Sequence, residues 1–577
     1  MNIVEKDKTE PVGETLPCTV RERLRRLYPA DVADSLADEL LALAARYRER
    51  IAPAREGWSE RDVFLITYGD TIKVRDEAPL RTLLRFLRKN LGPAVTIVHL
   101  LPHFPFSSDD GFSVVDYRAV RGDLGAWTDL SEMAEDYRLV YDAVVNHASQ
   151  HSAYIQGHCA GEDPYVDFAV AIPPGTDTSR VLRTRNLPLL HPFGTVRGVE
   201  HLWTTFSADQ VDLNFKNPRV LVEMTDVLFF YVEKGASILR LDAIPYLWKE
   251  LGTSCAHLPQ THEIIKLWRN LFDLVAPHVL LLTETNVPHR ENVSYFGNKG
   301  DEAQIIYNFS LPPLLLWSLH KGDASILTQW SQGLDYIGPR ATYLNLTATH
   351  DGIGMRPTEG LLPEAARREL CDLARDHGGD ITGKRNADGS VSVYELNITY
   401  FDALNDPRGR LPLAVQIDRF VLSQAIPMAL MGIPGFYLPS LLGSRNDDEL
   451  VRQTKRARSI NRPSLDAGVL ASELSEAGSL RAQVLTRLKH LLALRSTLPA
   501  FHPDAAQQIL DQGPALFVIR REAAGAAQVI LAFHNVTAAA VSGVLPAGRW
   551  CDAIDGEVAV NATLVPPYAV RWFVKQS

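Results

Sequence analysis

Three acidic residues follow directly on short apolar runs: Asp242 in SILRLDA, Glu284 in LLLTETN and Asp351 in TATHDG. If these runs are strands of one barrel, the acids gather at its open C-terminal rim, where carboxylates serve catalysis rather than packing. Such a set suits glycoside chemistry. One carboxylate attacks the anomeric carbon, a second, kept protonated by its surroundings, gives a proton to the leaving oxygen, and a third holds sugar hydroxyls as the ring flattens. Arg240 precedes Asp242 by two residues and by strand alternation shares its face, where it would keep that carboxylate ionised. His147, closing DAVVNH, and His350, just before Asp351, are placed to donate hydrogen bonds to a sugar.

The elements that must position these residues follow from periodicity. From Asp62 onward, short β-rich runs alternate with longer amphipathic stretches, the pattern of a parallel sheet with crossover helices. Eight such runs, 63–68, 96–101, 138–145, 237–241, 279–283, 304–309, 342–346 and 435–438, predict an α/β fold, a (β/α)8 barrel. Long polar, Pro-rich segments follow the third and seventh runs and are expected as insertions on the catalytic face, where the βα loops open. Residues 20–56 read as helices, with Leu36, Leu40, Leu41, Leu43, Ala44 and Tyr47 at helical spacing. Beyond residue 499, ALFVIRR, AQVILAFHNV and VPPYAVRWFV predict a small all-β domain. The expected division is an N-terminal helical extension (1–60), a barrel in three pieces (61–147, 213–351, 413–498), insertions at 148–212 and 352–412, and a C-terminal β domain (499–577).

A net charge of −10 argues against nucleic acid, whose phosphates call for a basic surface, and leaves small molecules as the expected partners. No apolar run approaches the ~20 residues that span a bilayer, and the charged start MNIVEKDKTEPVGE lacks the apolar core of a signal peptide. Five scattered cysteines fit reduced thiols and a cytoplasmic setting. Neither a phosphate-cradling Gly-rich loop nor zinc or EF-hand spacing is present, so no cofactor and no metal are expected.

The segments DAVVNH (142–147), LRLDA (239–243), Glu284 and THDG (349–352) resemble, in order, the four conserved regions of the α-amylase family of glycoside hydrolases. The resemblance runs from about residue 62 to the C-terminus. It implies Asp242 as nucleophile, Glu284 as acid/base and Asp351 as stabiliser of the transition state. More narrowly, LWTTFSADQVDLN (202–214), KELGTSC (249–255), FSLPPLLL (309–316), HDGIG (350–354) and YELNITYFDAL (394–404) are similar to the sucrose phosphorylase branch. Carried over residue by residue, the likeness makes Asp109 and Arg458 the pair that clamps the far hydroxyls of the glucosyl unit. Phe112 and Phe206 would line its pocket, and Arg185, Gln210, Tyr246 and Tyr394 would stand around the acceptor and phosphate.

Glu395, expected beside Tyr394 at the acceptor site, stands where that branch has Gln, TETNVPH follows the fifth run, and the N-terminal helices are additional. With GLLPE (360–364), these departures resemble the glucosylglycerate-specific members of the branch. The implied activity is reversible phosphorolysis of 2-O-α-glucosylglycerate to α-glucose 1-phosphate and D-glycerate, by double displacement and without a cofactor. Sucrose, sucrose 6'-phosphate or glucosylglycerol as substrate, hydrolysis by a retaining α-glucosidase, and a non-catalytic barrel are the alternatives. The partners would be the α-glucoside, inorganic phosphate and glucose 1-phosphate, with a homodimer as the open alternative to a monomer. A basic group at the acceptor site separates phosphorolysis from hydrolysis, and Arg183 and Arg185 in RTRNLP are the candidates.

Overall fold

All eight apolar runs are strands of one closed parallel barrel in the computed structural model, which describes residues 12–298, 300–385 and 390–576. They are β1 (Phe64–Thr67), β2 (Ile97–Leu100), β3 (Arg138–Ala143), β4 (Ala236–Leu241), β5 (Leu280–Thr283), β6 (Ile305–Tyr307), β7 (Thr342–Asn345) and β8 (Ile433–Tyr437). Consecutive strands are neighbours, and β1 closes the ring by pairing with both β2 and β8: Phe64 lies opposite Ile97 and Gly435. Residues such as Leu65, Val98, Leu239, Leu281 and Ile306 are fully buried. Strands covered on both faces read as continuous apolar runs rather than alternating ones.

The strand ends differ from the sequence reading by a few residues. The last strand begins two residues earlier because Pro434, which argues against a strand on propensity, sits inside it and pairs with Asn345 of β7. The sixth run shortens because the chain turns at Asn308 to start the helix at Leu311.

Outside the barrel, α1 (Val12–Leu27) and α2 (Ala30–Arg48) form a hairpin against α3 (Pro218–Glu233) and α4 (Pro259–Val275), two helices of the barrel's outer ring. The helical stretch ends at Arg48 rather than near 56, where Pro53 cannot donate to a continuing helix. Residues 1–11 of the extension lie outside the described residues. Between β3 and β4 the chain makes the helix Ala153–Ala160 and the hairpin Leu190–Thr195 with Gly198–Trp203. Between β7 and β8 it makes the helix Glu364–Asp376 and the antiparallel strands Asp380–Arg385 and Val391–Asn397. The C-terminal part is a six-stranded antiparallel sheet with a separate strand pair. Among the described residues the five cysteines are unpaired, and no helix is long and apolar enough to cross a membrane.

Candidate active site

Asp242 and Glu284 stand one residue past the ends of β4 and β5, and Asp351 lies on the loop after β7. All three line one cavity at the C-terminal mouth, with about 620 Å³ of empty space including its opening. Asp109, Phe112, His147, Arg185, Phe206, Gln210, Arg240, Tyr246, His350, Tyr394 and Arg458 line the same cavity.

Arg240 Nη1 lies 2.7 Å from Asp242 Oδ1 and also donates to Asp142. Asp142 in turn accepts from His99 Nε2 at 2.9 Å, and neither residue is exposed. Burial raises the carboxyls of both Asp242 and Glu284. The direct ion pair with Arg240 makes Asp242 the one that loses its proton first. Glu284 is pushed up to about 7, by burial and by the charges of Asp242 and Asp351. Two carboxyls in one site are thereby held in different protonation states near neutrality, as an attacking group and a proton donor require. Asp351 goes the other way: burial raises it, but Arg458 at 2.6 Å, His350 and Arg462 outweigh burial and hold it well below the usual carboxylate range.

The histidines divide. His350 is pushed down to about 3 by burial and stays neutral, its ring stacked 5.1 Å from Phe112. His147 lines the cavity, but both ring nitrogens are engaged: Nε2 lies 2.9 Å from the Phe112 carbonyl, and Nδ1 lies 3.2 Å from the Asn146 amide. The Phe112 carbonyl can only accept, so Nε2 carries the proton, and His147 supports the wall rather than pointing a free donor at a ligand.

Two further expectations are corrected. Glu395 is not among the residues around the catalytic acids; it lines an adjoining cavity that shares Asp109, Arg185, Phe206, Gln210 and Arg458 with the catalytic one, and its buried carboxylate takes two hydrogen bonds from Arg458, at 2.8 and 2.9 Å. Tyr394 is the extra residue of a β-bulge, the partner strand pairing with Glu395 and then Val393, and it is Tyr394 that faces the catalytic cavity. Arg183 does not line the cavity either, because its guanidinium turns back onto the Leu187 carbonyl of its own loop. Arg458 stands at one end of the cavity with Asp109, but it bonds Asp351 and Glu395, while Asp109 accepts from Gln210 at 3.0 Å.

The structure adds residues that sequence reasoning passed over. Asp142 opens DAVVNH, whose last residue alone was singled out, and strand alternation would have placed it inside the barrel with Arg240. Arg462, at the end of ARSINR, bonds Asp351 at 3.3 Å and the His350 carbonyl at 2.8 Å. Asn286, two residues past Glu284, lines the cavity, and its Oδ1 has no hydrogen-bond partner. Gly354 leaves it room, since a Cβ there would come within 2.5 Å of that oxygen. Lys249 is buried and holds the floor together: its ammonium lies 2.6 Å from Asp212, 3.1 Å from Asn146, and bonds the Tyr246 carbonyl.

Three arginines line the cavity. Arg240 and Arg458 are bonded to carboxylates, whereas no carboxylate among the described residues lies within ion-pairing distance of Arg185. Its guanidinium sits between two aromatic rings, 5.1 Å from Tyr394 and 5.7 Å from Phe206.

A closed parallel barrel with acids at its C-terminal mouth defines an enzyme of the glycoside-processing barrel class. The chain belongs to the α-amylase family: a profile of the α-amylase catalytic domain matches residues 83–335, and homologous phosphorylases extend the likeness over almost the whole chain. It is 44% identical to the glucosylglycerate phosphorylase of Allomeiothermus silvanus, over 91% of this chain and 93% of that protein. With the glucosylglycerate phosphorylase of Spirochaeta thermophila it shares 42% identity over 95% and 94%. Among solved structures, sucrose 6F-phosphate phosphorylase from Thermoanaerobacter thermosaccharolyticum superposes with a TM-score of 0.73 at 25% identity, covering 89% of this chain and 99% of that one.

Proposed function

We infer that this enzyme is a retaining glycoside phosphorylase that reversibly converts 2-O-α-glucosylglycerate and phosphate to α-glucose 1-phosphate and D-glycerate. In the first step the Asp242 carboxylate attacks the anomeric carbon, the bond to the glycerate oxygen breaks, and Glu284 gives that oxygen its proton. In the second, a phosphate oxygen attacks the same carbon, the bond to Asp242 breaks, and Glu284 recovers a proton from the phosphate. Asp351, held ionised by Arg458 and Arg462, supports the positive charge that develops on the sugar.

One observation carries the choice of acceptor. Both glycerate and phosphate are anions entering a cavity already lined by Asp109, Asp242, Glu284 and Asp351, and Arg185 is the guanidinium there with no carboxylate engaged. Its planar fork suits carboxylate and phosphate alike. The Asn286 amide, beside Glu284, supplies a neutral donor on the same wall. Identity of 42–44% to two glucosylglycerate phosphorylases supports the same reading.

The test is synthesis from α-glucose 1-phosphate with D-glycerate, glycerol, fructose and fructose 6-phosphate offered separately, measured as phosphate released. D-glycerate is expected to be used best. A wide preference for another acceptor, or phosphate release no faster than with water alone, would overturn the assignment.

A further inference from the structure

The N-terminal hairpin takes no part in the barrel, yet its turn reaches the loop that forms one wall of the catalytic cavity. Tyr28, between α1 and α2, is 6% exposed; its hydroxyl donates to the Phe215 carbonyl at 2.7 Å. Its ring meets Trp248 edge-on, with centroids 6.2 Å apart. Phe215 follows the strand Gln210–Asp212, where the first insertion returns to the barrel, and Trp248 lies two residues beyond Tyr246, which lines the cavity. Tyr28 thus touches both chain segments that Lys249 ties together from the other side through Asp212 and the Tyr246 carbonyl.

This loop, residues 242–258, needs such support. Ala243, Cys255 and His257 adopt φ of 49°, 50° and 56°, left-handed conformations that residues other than glycine hold only when their surroundings impose them. Lys216 adds a contact from the same segment as Phe215, with Nζ 5.9 Å from the Trp248 ring and 2.9 Å from Glu250. Close to its turn the hairpin is anchored by Arg23 and Arg26 on Glu263 of α4, and at its far end by a two-pronged contact of Arg50 with Glu233 of α3.

We propose that Tyr28 is a positioning residue for the acceptor side of the active site, holding the Tyr246 loop through Trp248 and Phe215. The extension thereby sets how well the second substrate binds, not how fast the glucosyl-enzyme forms. The proposal rests on the acceptor site inferred above at Arg185, to which Tyr246 is linked through Phe206: the Tyr246 and Phe206 rings meet edge-on at 5.8 Å, and the Arg185 guanidinium lies 5.7 Å from the Phe206 ring.

The test uses the full-length enzyme. Tyr28→Ala is expected to raise the KM for D-glycerate in synthesis roughly tenfold, the scale of losing an edge-on aromatic contact with its burial. The ratio of hydrolysis to transfer should rise by a similar factor, while glucosyl-enzyme formation from α-glucosyl fluoride stays within about twofold. Tyr28→Phe, which keeps the ring, should restore most of the KM. Arg50→Ala, at the far end of the same hairpin, should lower the melting temperature and leave KM unchanged. If Tyr28→Ala does not fold, Trp248→Leu removes the same contact from the loop side and must give the same KM shift. Unchanged KM and partition in the folded variant, or an equal shift in Arg50→Ala, would overturn the proposal. The hydrolysis-to-transfer ratio is read with whichever acceptor the wild type uses, so an error in the acceptor's identity is told apart from an error in the role of Tyr28.

Discussion

Replacing Arg185 by alanine separates the anionic acceptors from neutral ones. In the protein, Arg185 makes one long hydrogen bond, 3.4 Å to the Thr184 carbonyl, and rests between the rings of Tyr394 and Phe206. Each cation–π contact contributes about 0.5–1 kcal/mol, so its removal is a small perturbation of the fold. What the variant loses is a charge-assisted hydrogen bond to the bound anion, about 1.5–3 kcal/mol, or roughly 10- to 150-fold in affinity. Initial rates of synthesis with D-glycerate and of phosphorolysis with phosphate should therefore show KM raised by that factor. Glucosylation by α-glucosyl fluoride and hydrolysis by water, which bring no anion to the acceptor site, should stay within about twofold. Arg185→Lys keeps the charge but not the fork, and should fall between the two. The reasoning is refuted if Arg185→Ala binds both anions as the wild type does, or if glycerol use falls as far as glycerate use.

Asp242→Asn should abolish transfer, by at least ~10⁴-fold in kcat, because an amide neither attacks the anomeric carbon nor balances its charge; turnover near wild type would show the nucleophile misassigned. Glu284 must start protonated and titrates at about 7, so kcat/KM for the natural glucoside should fall toward tenfold per unit above that pH, and on the acid side it should fall once Asp242 takes up a proton. A profile on α-glucosyl fluoride that falls just as steeply would count against the acid role, since that leaving group needs little protonation. Lys249→Met leaves Asp212 buried with its ammonium partner gone and should cost about 3–5 kcal/mol in urea denaturation, part of it recovered by adding Asp212→Asn. Equal stability of the single and double variants would show that the pair is not what holds the two loops.

The barrel was legible because its signal is local. Each strand is a run such as SILRL or VLLLT whose residues are buried on both faces, and a strand's polar end shows in the sequence as an acid directly after the run. Asp242 and Glu284 could be picked out without knowing their neighbours. Misreadings and omissions arose where a side chain's partner is distant in sequence. Glu395 meets Arg458 across 63 residues, and Lys249 meets Asn146 across 103. No periodicity encodes such meetings.

The sequence by itself determined the class of fold, the order of its strands and the presence of carboxylates at their ends, because strand alternation and apolar patterning act between residues a few positions apart. Tertiary structure decided the chemistry each acid is prepared for. A carboxyl is raised to about 7 at Glu284 by burial and the carboxylates beside it, and driven down at Asp351 by the guanidiniums of Arg458 and Arg462 that the closed barrel brings within reach. It also decided that Arg185, and not Arg183 two residues away, faces the cavity, and that the N-terminal helices end against the loop of Tyr246. Charge and contact depend on distance in space, and only closing the barrel sets those distances.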